Sequence, residues 1–154
     1  MGLPMSYRLL NAGFDLTVHN RSQEKVKQIS GAGAHAATSI GQITQDTDIL
    51  LTCLPDIATA EELFLGQDGI IENCKIGQVL VDHSTVGART SKACAEAASR
   101  KGALFLDAPI SGGTERAVYG TLTIMAGGSP KAYDLALPAL EAMGTTVRHI
   151  GPTG

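Results

Sequence analysis

Short apolar runs alternate with helix-like segments along almost the whole chain, and this alternation restricts the possible folds more than any other feature. It predicts an α/β fold, a doubly wound and mostly parallel sheet with helices on both faces. The runs at 48–54 and 79–83 carry few polar positions, as expected of strands buried on two sides. An amphipathic helix is predicted to end near Gly13. The predicted strands are 16–18, 48–54, 79–83, 104–110, 122–126 and 146–150, and the later helices are 23–29, 39–45, 59–65, 88–101 and 130–143.

Length and composition narrow the class of protein. A chain of 154 residues suits one domain, and a net charge of −3 offers nucleic acid no basic surface. No apolar run reaches the roughly 18 residues of a membrane span, and the first residues do not resemble a signal peptide. Cys53, Cys74 and Cys94 are widely spaced and include no CxxC pair, which favours reduced thiols and a cytoplasmic protein.

In a doubly wound sheet, ligands bind outside the carboxyl ends of the strands, so the residues predicted to lie there are the candidates for binding. Met1 and Gly2 open the chain immediately before a predicted helix. If they end a G-x-G-x-x-G turn, Gly2 is its third glycine and the backbone N–H groups around Met1 face a pyrophosphate. An initiator methionine followed by a small residue is the competing interpretation.

Asn20, Arg21 and Ser22 follow the strand predicted at 16–18. NAD-binding units carry an acidic residue about 20 residues after the glycines to accept from the ribose 2′-OH. Here Arg21 can instead pair with a 2′-phosphate through two charge-assisted hydrogen bonds, and its neighbours can donate. This pattern predicts NADP, with NAD less favoured. The alternative is a solvated turn in which Ser22 caps the next helix.

Two further strand ends carry candidate residues. Leu54 and Pro55 end the strand predicted at 48–54 and could form an apolar wall for a base or nicotinamide ring, or could be a simple strand stop. Ser84 and Thr85 could bind a ribose or carboxamide, or could cap the following helix. We interpret His83, one residue earlier, as structural.

The segment from Asp107 to Gly128 is the most informative. Pro109 and the pair Gly112 and Gly113 predict a bend that leaves Ser111 and successive N–H groups free to bind a carboxylate. A plain glycine turn is the alternative. The chain shows no serine triad spacing and no GxSxG elbow, which disfavours hydrolase mechanisms.

These residues resemble the β-hydroxyacid dehydrogenase family, which includes 3-hydroxyisobutyrate dehydrogenase, tartronate semialdehyde reductase and glyoxylate/succinic semialdehyde reductases, with an NADP-binding domain like that of 6-phosphogluconate dehydrogenase. Residues 1–13 match the second half of the family pattern GxIGLGxMGxPMAxNLLxAG. Residues 107–128 match D-A-P-V-S-G-G-x-x-G-A-x-x-G-T-L-T-I-M-V-G-G, with Ile110, Arg116 and Ala126 as departures.

The resemblance implies site residues. Ser111, Gly112 and Gly113 would bind the substrate carboxylate. The residues that would bind the cofactor are Met1, Gly2, Asn20, Arg21, Ser22, Leu54, Pro55 and Thr85, and the Asn20–Ser22 stretch matches NADP-preferring members.

The departures from the family concern both ends of the match. The family's first strand and its G-x-I-G-L-G precede the position of Met1. Its G-x-G-x-x-x-K-x-x-N-N segment, with the catalytic Lys as general acid, falls beyond Gly154, as does the helical domain with its dimer contacts. Lys92, Lys101 and Lys131 offer no substitute. We therefore expect residues 1–154 to be an incomplete NADP-binding domain without turnover. We also expect it to be marginally stable, because in strand order 3-2-1-4-5-6 the missing strand is central.

The sequence thus predicts a domain of an NADP-dependent oxidoreductase that interconverts a small β-hydroxyacid and its semialdehyde or keto acid. The expected partners are a small carboxylate and, for the full-length protein, further copies of itself. A non-catalytic nucleotide-binding or interaction module is the alternative. A methyltransferase using S-adenosylmethionine is disfavoured, because it usually needs an acidic residue where Asn20 stands and leaves the Ser111–Gly113 stretch unexplained.

Overall fold

Eight helices and eight strands make up the computed structural model, which describes residues 1–154. Their order confirms the α/β, Rossmann-like fold expected from the sequence. The elements are α1 Gly2–Asn11, β1 Thr17–Val18, α2 Gln23–Ser30, β2 His35–Ala36, α3 Ile40–Asp46, β3 Ile49–Thr52, α4 Ile57–Leu65, α5 Ile70–Asn73, β4 Val79–Asp82, α6 Ala88–Arg100, β5 Leu104–Asp107, β6 Ile110–Ser111, α7 Gly113–Tyr119, β7 Leu122–Gly128, α8 Pro130–Met143 and β8 Gly144–Gly151.

The strands form two separate sheets. β1 and β2 pair in parallel and make a sheet of their own. In the larger sheet β3, β4 and β5 are parallel, β7 runs antiparallel to both β5 and β6, and β8 is parallel to β7. β1 and β3 are not paired with each other, so the strand order is interrupted where the sequence predicted a gap.

Three details differ from the sequence prediction. The run at 104–110 is not one strand but two, β5 and β6, because Pro109 has no N–H to donate to a ladder. The helix α7, which begins at Gly113 within the predicted bend, was not predicted. Two short elements, β2 and α5, were not predicted, because each is too short to show a periodic pattern.

Apolar side chains on the two faces of the larger sheet form two cores. Val79 and Val81 of β4 pack with residues of α1 and α8, whereas Leu80 packs with Phe64 and other residues of α4 and α6. Alternate β4 residues therefore enter opposite cores, which explains why the strand is apolar throughout. None of the helices combines the length and the apolar character needed to cross a lipid bilayer.

Candidate functional site

A buried carboxylate joins the carboxyl ends of β3 and β4. Asp82 is 2% exposed, and its Oδ1 accepts hydrogen bonds from the Thr52 hydroxyl at 2.8 Å and from the Ser84 N–H at 2.9 Å. The Ser84 hydroxyl also donates to Asp82, and it accepts from the N–H of Leu54 at 2.8 Å. Because charged hydrogen bonds are strong when shielded from water, this network holds the loops after both strands in place.

His83 ties the ends of β4 and β5 together. Its Nδ1 lies 2.8 Å from the carbonyl oxygen of Ala108, which requires Nδ1 to be the protonated nitrogen because a carbonyl only accepts. Nε2 is buried without a hydrogen-bond partner. Burial lowers the pKa of His83, although the Ala108 bond and the charge of Asp82 act in the opposite direction. A buried, neutral imidazole matches the structural role expected for it.

The beginning of α1 lies at the same edge of the sheet. A Cβ placed on Gly2 would lie 4.0 Å from the Cβ of Cys53, which is ordinary van der Waals contact. Burial raises the pKa of the Cys53 thiol, and the Met1 ammonium opposes that shift, so the two groups are close. The Thr114 hydroxyl lies 3.6 Å from the Met1 sulfur. Met1 therefore lies between the end of β3 and the beginning of α7.

No side chain caps the amino end of α1. Its first backbone donors, at Gly2 and Leu3, precede the first intrahelical turn, and Pro4 has no N–H at all. No acidic side chain lies in this first turn. Since a helix amino terminus carries partial positive charge, this end is suited to an anionic group.

Asn20, Arg21 and Ser22 form the turn between β1 and α2. Ser22 occupies the N-cap position of α2, but its hydroxyl makes no capping hydrogen bond, contrary to the simple capping interpretation. The Asn20 amide donates to the Ser22 carbonyl at 3.2 Å and so stabilises the turn. Arg21 is exposed and takes part in no ion pair, while its charge contributes to the lowered pKa of Asp56 after the larger effect of the Thr59 hydrogen bond.

The remaining cofactor candidates follow β3 and β4. Leu54 is half-buried and packs against the core that contains Phe64, while Pro55 is exposed. Asp56, the next residue, accepts the Thr59 N–H at 2.7 Å and thereby caps α4. Thr85 is exposed and does not cap a helix, because α6 begins later, with Gly87 at its N-cap.

The Ser111–Gly113 stretch forms the turn into α7. Gly112 has φ 132° and Gly113 has φ 67°, values that favour glycine at both positions. Ser111 is exposed and pairs with Thr123 of β7. A Cβ on Gly112 would lie 2.5 Å from the Cδ of Arg116, so that side chain crosses directly over the glycine. The turn thus presents the Ser111 hydroxyl, open space beside Gly113 and an arginine side chain over Gly112.

Three pairwise contacts connect some of the predicted site residues with their surroundings. The Leu54 and Ser84 loops are hydrogen bonded, Met1 touches Thr114, and Arg21 lies within electrostatic reach of Asp56. The sequence interpretation missed Asp82 and Arg116. Asp82 had a visible signal, because a lone acidic residue at the end of an apolar run has to find partners when buried.

Comparison with known proteins is consistent with this geometry. Residues 1–151 match the family model described as the NAD binding domain of 6-phosphogluconate dehydrogenase. A NAD-dependent L-serine dehydrogenase of Pseudomonas aeruginosa is 39% identical over 154 residues, which is 100% of this chain and 52% of the relative. The mitochondrial 3-hydroxyisobutyrate dehydrogenase of Mus musculus is 35% identical over 100% of this chain and 46% of its own length.

A solved structure described as Psf3 in complex with NADP+ and 2-OPP superposes with a TM-score of 0.95 at 31% identity. The match covers 99% of this chain and 54% of that chain. The chain therefore spans about half the length of the curated and solved relatives that it matches.

Proposed function

Because the chain belongs to the family of the NAD binding domain of 6-phosphogluconate dehydrogenase, we propose that it is the nucleotide-binding part of an NADP-dependent oxidoreductase. The reaction is the interconversion of a small β-hydroxyacid and its semialdehyde or keto acid. The observation that carries this proposal is the contact between Met1, at the uncapped start of α1, and Thr114, next to the Ser111–Gly113 turn. The exposed Arg21 after β1 adds the cofactor preference.

The donor set of this edge fits a phosphorylated dinucleotide. The start of α1 offers backbone N–H groups to the pyrophosphate, and Arg21 with the free Ser22 hydroxyl binds the 2′-phosphate. Leu54, Pro55 and Thr85 line the rest of the cofactor site. When bound, the nicotinamide supplies or accepts the hydride. The matched relatives include both an NAD-dependent enzyme and an NADP+ complex, so the preference for NADP rests on Arg21.

The Ser111–Gly113 turn binds the substrate carboxylate. Its hydroxyl and backbone N–H groups are donors, and the open space beside Gly113 allows close approach of the ligand. The two named relatives act on L-serine and on 3-hydroxyisobutyrate, each of which carries a hydroxyl and a carboxylate.

Proton transfer is not assigned to any residue of this chain. Three exposed lysines lie outside the turn that binds the carboxylate: Lys92 is on α6, Lys101 is the C-cap of α6, and Lys131 is in the first turn of α8. The chain spans about half of its relatives, and we propose that the proton donor and the self-association of the whole enzyme belong to the other half. Binding is therefore the appropriate readout for the chain itself.

Arg21→Gln tests the cofactor assignment. We expect the unmodified chain to bind NADPH roughly 10- to 100-fold more tightly than NADH, since a hydrogen bond to a charged group is worth about 1.5 to 3 kcal/mol. Arg21→Gln should abolish most of this difference by weakening NADPH binding alone. The measurement is a fluorescence titration with each reduced cofactor.

Arg100→Gln provides the matched control, because Arg100 is exposed in the last turn of α6 and the substitution changes net charge equally. It should leave both affinities unchanged. Tighter binding of NADH than of NADPH, or an equal loss of both with Arg21→Gln, would refute the NADP assignment.

A further inference from the structure

Arg116 extends across the turn proposed to bind the carboxylate. A Cβ built on Gly112 would lie 2.5 Å from Cδ, 2.8 Å from Cβ and 3.1 Å from Cγ of Arg116. Three successive carbons of the arginine therefore pass over the Cα of Gly112. The guanidinium begins one bond beyond Cδ, so it lies at the same turn as the free Ser111 hydroxyl.

The guanidinium of Arg116 has no partner within the protein. The ion pairs of the chain join His35 to Asp15 and Lys75 to Asp48, and none involves Arg116 or its neighbour Glu115. Arg116 is exposed, whereas the residue of α7 that enters the core is Ala117. The charged end of the arginine thus stabilises no visible contact of the fold.

Arg8 and Arg148 are placed differently from Arg116. Arg8 packs so closely against Gly120 that a Cβ there would lie 2.5 Å from its Nε, and that nitrogen is buried without a hydrogen-bond partner, away from solvent. Arg148 donates a hydrogen bond to the Val147 carbonyl at 3.2 Å. Arg116 therefore combines a free planar donor with a position over the proposed substrate turn, and such a fork is well matched to a carboxylate.

We propose that Arg116 binds a second carboxylate of the substrate, so that the site prefers dianionic β-hydroxyacids over monoanionic ones. This inference rests on the proposed function, because the first carboxylate occupies the Ser111–Gly113 turn. A cofactor phosphate is also an anion that a guanidinium can bind, and Met1, at the proposed pyrophosphate site, contacts Thr114 of α7. The test therefore distinguishes a substrate carboxylate from a cofactor phosphate.

L-Malate and 3-hydroxybutyrate are a matched pair of probes, since both are β-hydroxyacids and malate has a carboxylate where the other has a methyl group. We expect the chain saturated with NADP+ to bind malate at least about tenfold more tightly, with amide chemical shifts of Gly112 and Gly113 as the readout. Arg116→Gln should reduce the preference to about twofold or less and leave binding of 3-hydroxybutyrate unchanged.

Arg100→Gln again controls for net charge and should retain the preference for malate, while Arg116→Lys should retain part of it. Equal binding of the two acids by the unmodified chain would overturn the inference but leave the carboxylate turn intact. Loss of NADP+ affinity in Arg116→Gln with an unchanged malate preference would assign the guanidinium to the cofactor instead. If neither acid shifted the two glycine amides, the proposed substrate turn would itself be wrong.

Discussion

Polar side chains under the edge of the sheet position the candidate site without lying at its surface. Asp82 and Ser84 are buried, and Ser84 connects the Asp82 carboxylate to the backbone of Leu54. His83 holds Ala108, just before the bend that leads to the Ser111–Gly113 turn. The loops proposed to hold cofactor and substrate are thus anchored to one another through consecutive residues of one strand end.

Protonation of His83 should destabilise the fold. Burial lowers its pKa in the folded state, so the unfolded chain takes up the proton first as pH falls. The free energy of unfolding should therefore decrease as pH is lowered below the unfolded pKa of about 6.5, by up to about 1.4 kcal/mol per pH unit. Urea unfolding at pH 7.5 and pH 5.5 gives the difference, and His83→Gln should make it smaller.

His19→Gln is the control for His83, because His19 is only half-buried and bonds to no other group. Asp107 changes the free energy of unfolding with pH in the opposite direction, because burial raises its pKa and protonation at low pH therefore favours the folded state. The contribution of His83 is therefore the change that His83→Gln causes in the difference between the free energies of unfolding at pH 7.5 and pH 5.5. An identical pH dependence in that variant and in the unmodified chain would mean that His83 does not titrate as proposed.

Two prolines have different effects on their elements. Pro109 ends β5, and the chain resumes pairing with β7 only at Ile110, which turns the chain toward α7. Pro138 lies inside α8, yet the helix continues unbroken from Pro130 to Met143. The ring of Pro138 is exposed, so its removal should leave no cavity. The proline also lacks the N–H that would complete one hydrogen bond of the helix.

Pro138→Ala should stabilise the chain. Proline in a helix interior is about 3 kcal/mol less favourable than alanine, and the lower entropy of the unfolded proline chain offsets part of this. We expect the free energy of unfolding to rise by about 1 to 2 kcal/mol, measured by urea denaturation. Pro130→Ala, at the first turn of the same helix where proline is tolerated, should not stabilise. A loss of stability with Pro138→Ala would show that the proline shapes α8 to fit the core.

At the scale of the whole molecule, the two sheets differ in how deeply their strands are buried. β4 is buried along its entire length between two neighbours. β1 and β2 contain two residues each, none of them buried, and pair only with each other. Because few apolar contacts hold the small sheet, it should open more easily than the large one.

Native-state hydrogen exchange should detect this difference. The His35 and Ala37 amides bond across the small sheet at 2.8 Å and 2.9 Å, while the Leu104 and Ala108 amides bond across the large one at 2.8 Å and 2.7 Å. With bonds of similar length, we expect protection factors at least about tenfold lower for the first pair, equivalent to about 1.4 kcal/mol. Equal protection at all four amides would show that the two sheets open as one unit.

Sequence patterns predicted the long elements well because each has enough residues to reveal its period. The α8 prediction matches the structure from Pro130 to Met143, and the apolar run containing β4 was correctly interpreted as a doubly buried strand. Short elements such as β2 and α5 have too few residues for a period to emerge. The break at Pro109 was recognisable from the missing N–H, but α7 after two glycines was not.

For the candidate site, sequence reasoning identified the residues at the strand ends but not the contacts between them. Ser84 was weighed as a helix cap, and the structure instead connects its hydroxyl to Asp82 and Leu54. The free hydroxyl of Ser22 was equally unpredictable, because N-cap position alone does not decide whether a cap bond forms. Such bonds depend on atoms distant in sequence.

The sequence alone determined the α/β class, the family and the residues that reach the strand ends, since periodicity and local motifs are encoded in neighbouring residues. Only the tertiary structure decided that Met1 meets Thr114, that Arg116 crosses Gly112 and that β1 and β3 do not pair with each other. The physical reason is that these features arise when residues far apart in the chain pack together, and chain order does not specify the distances and orientations of that packing.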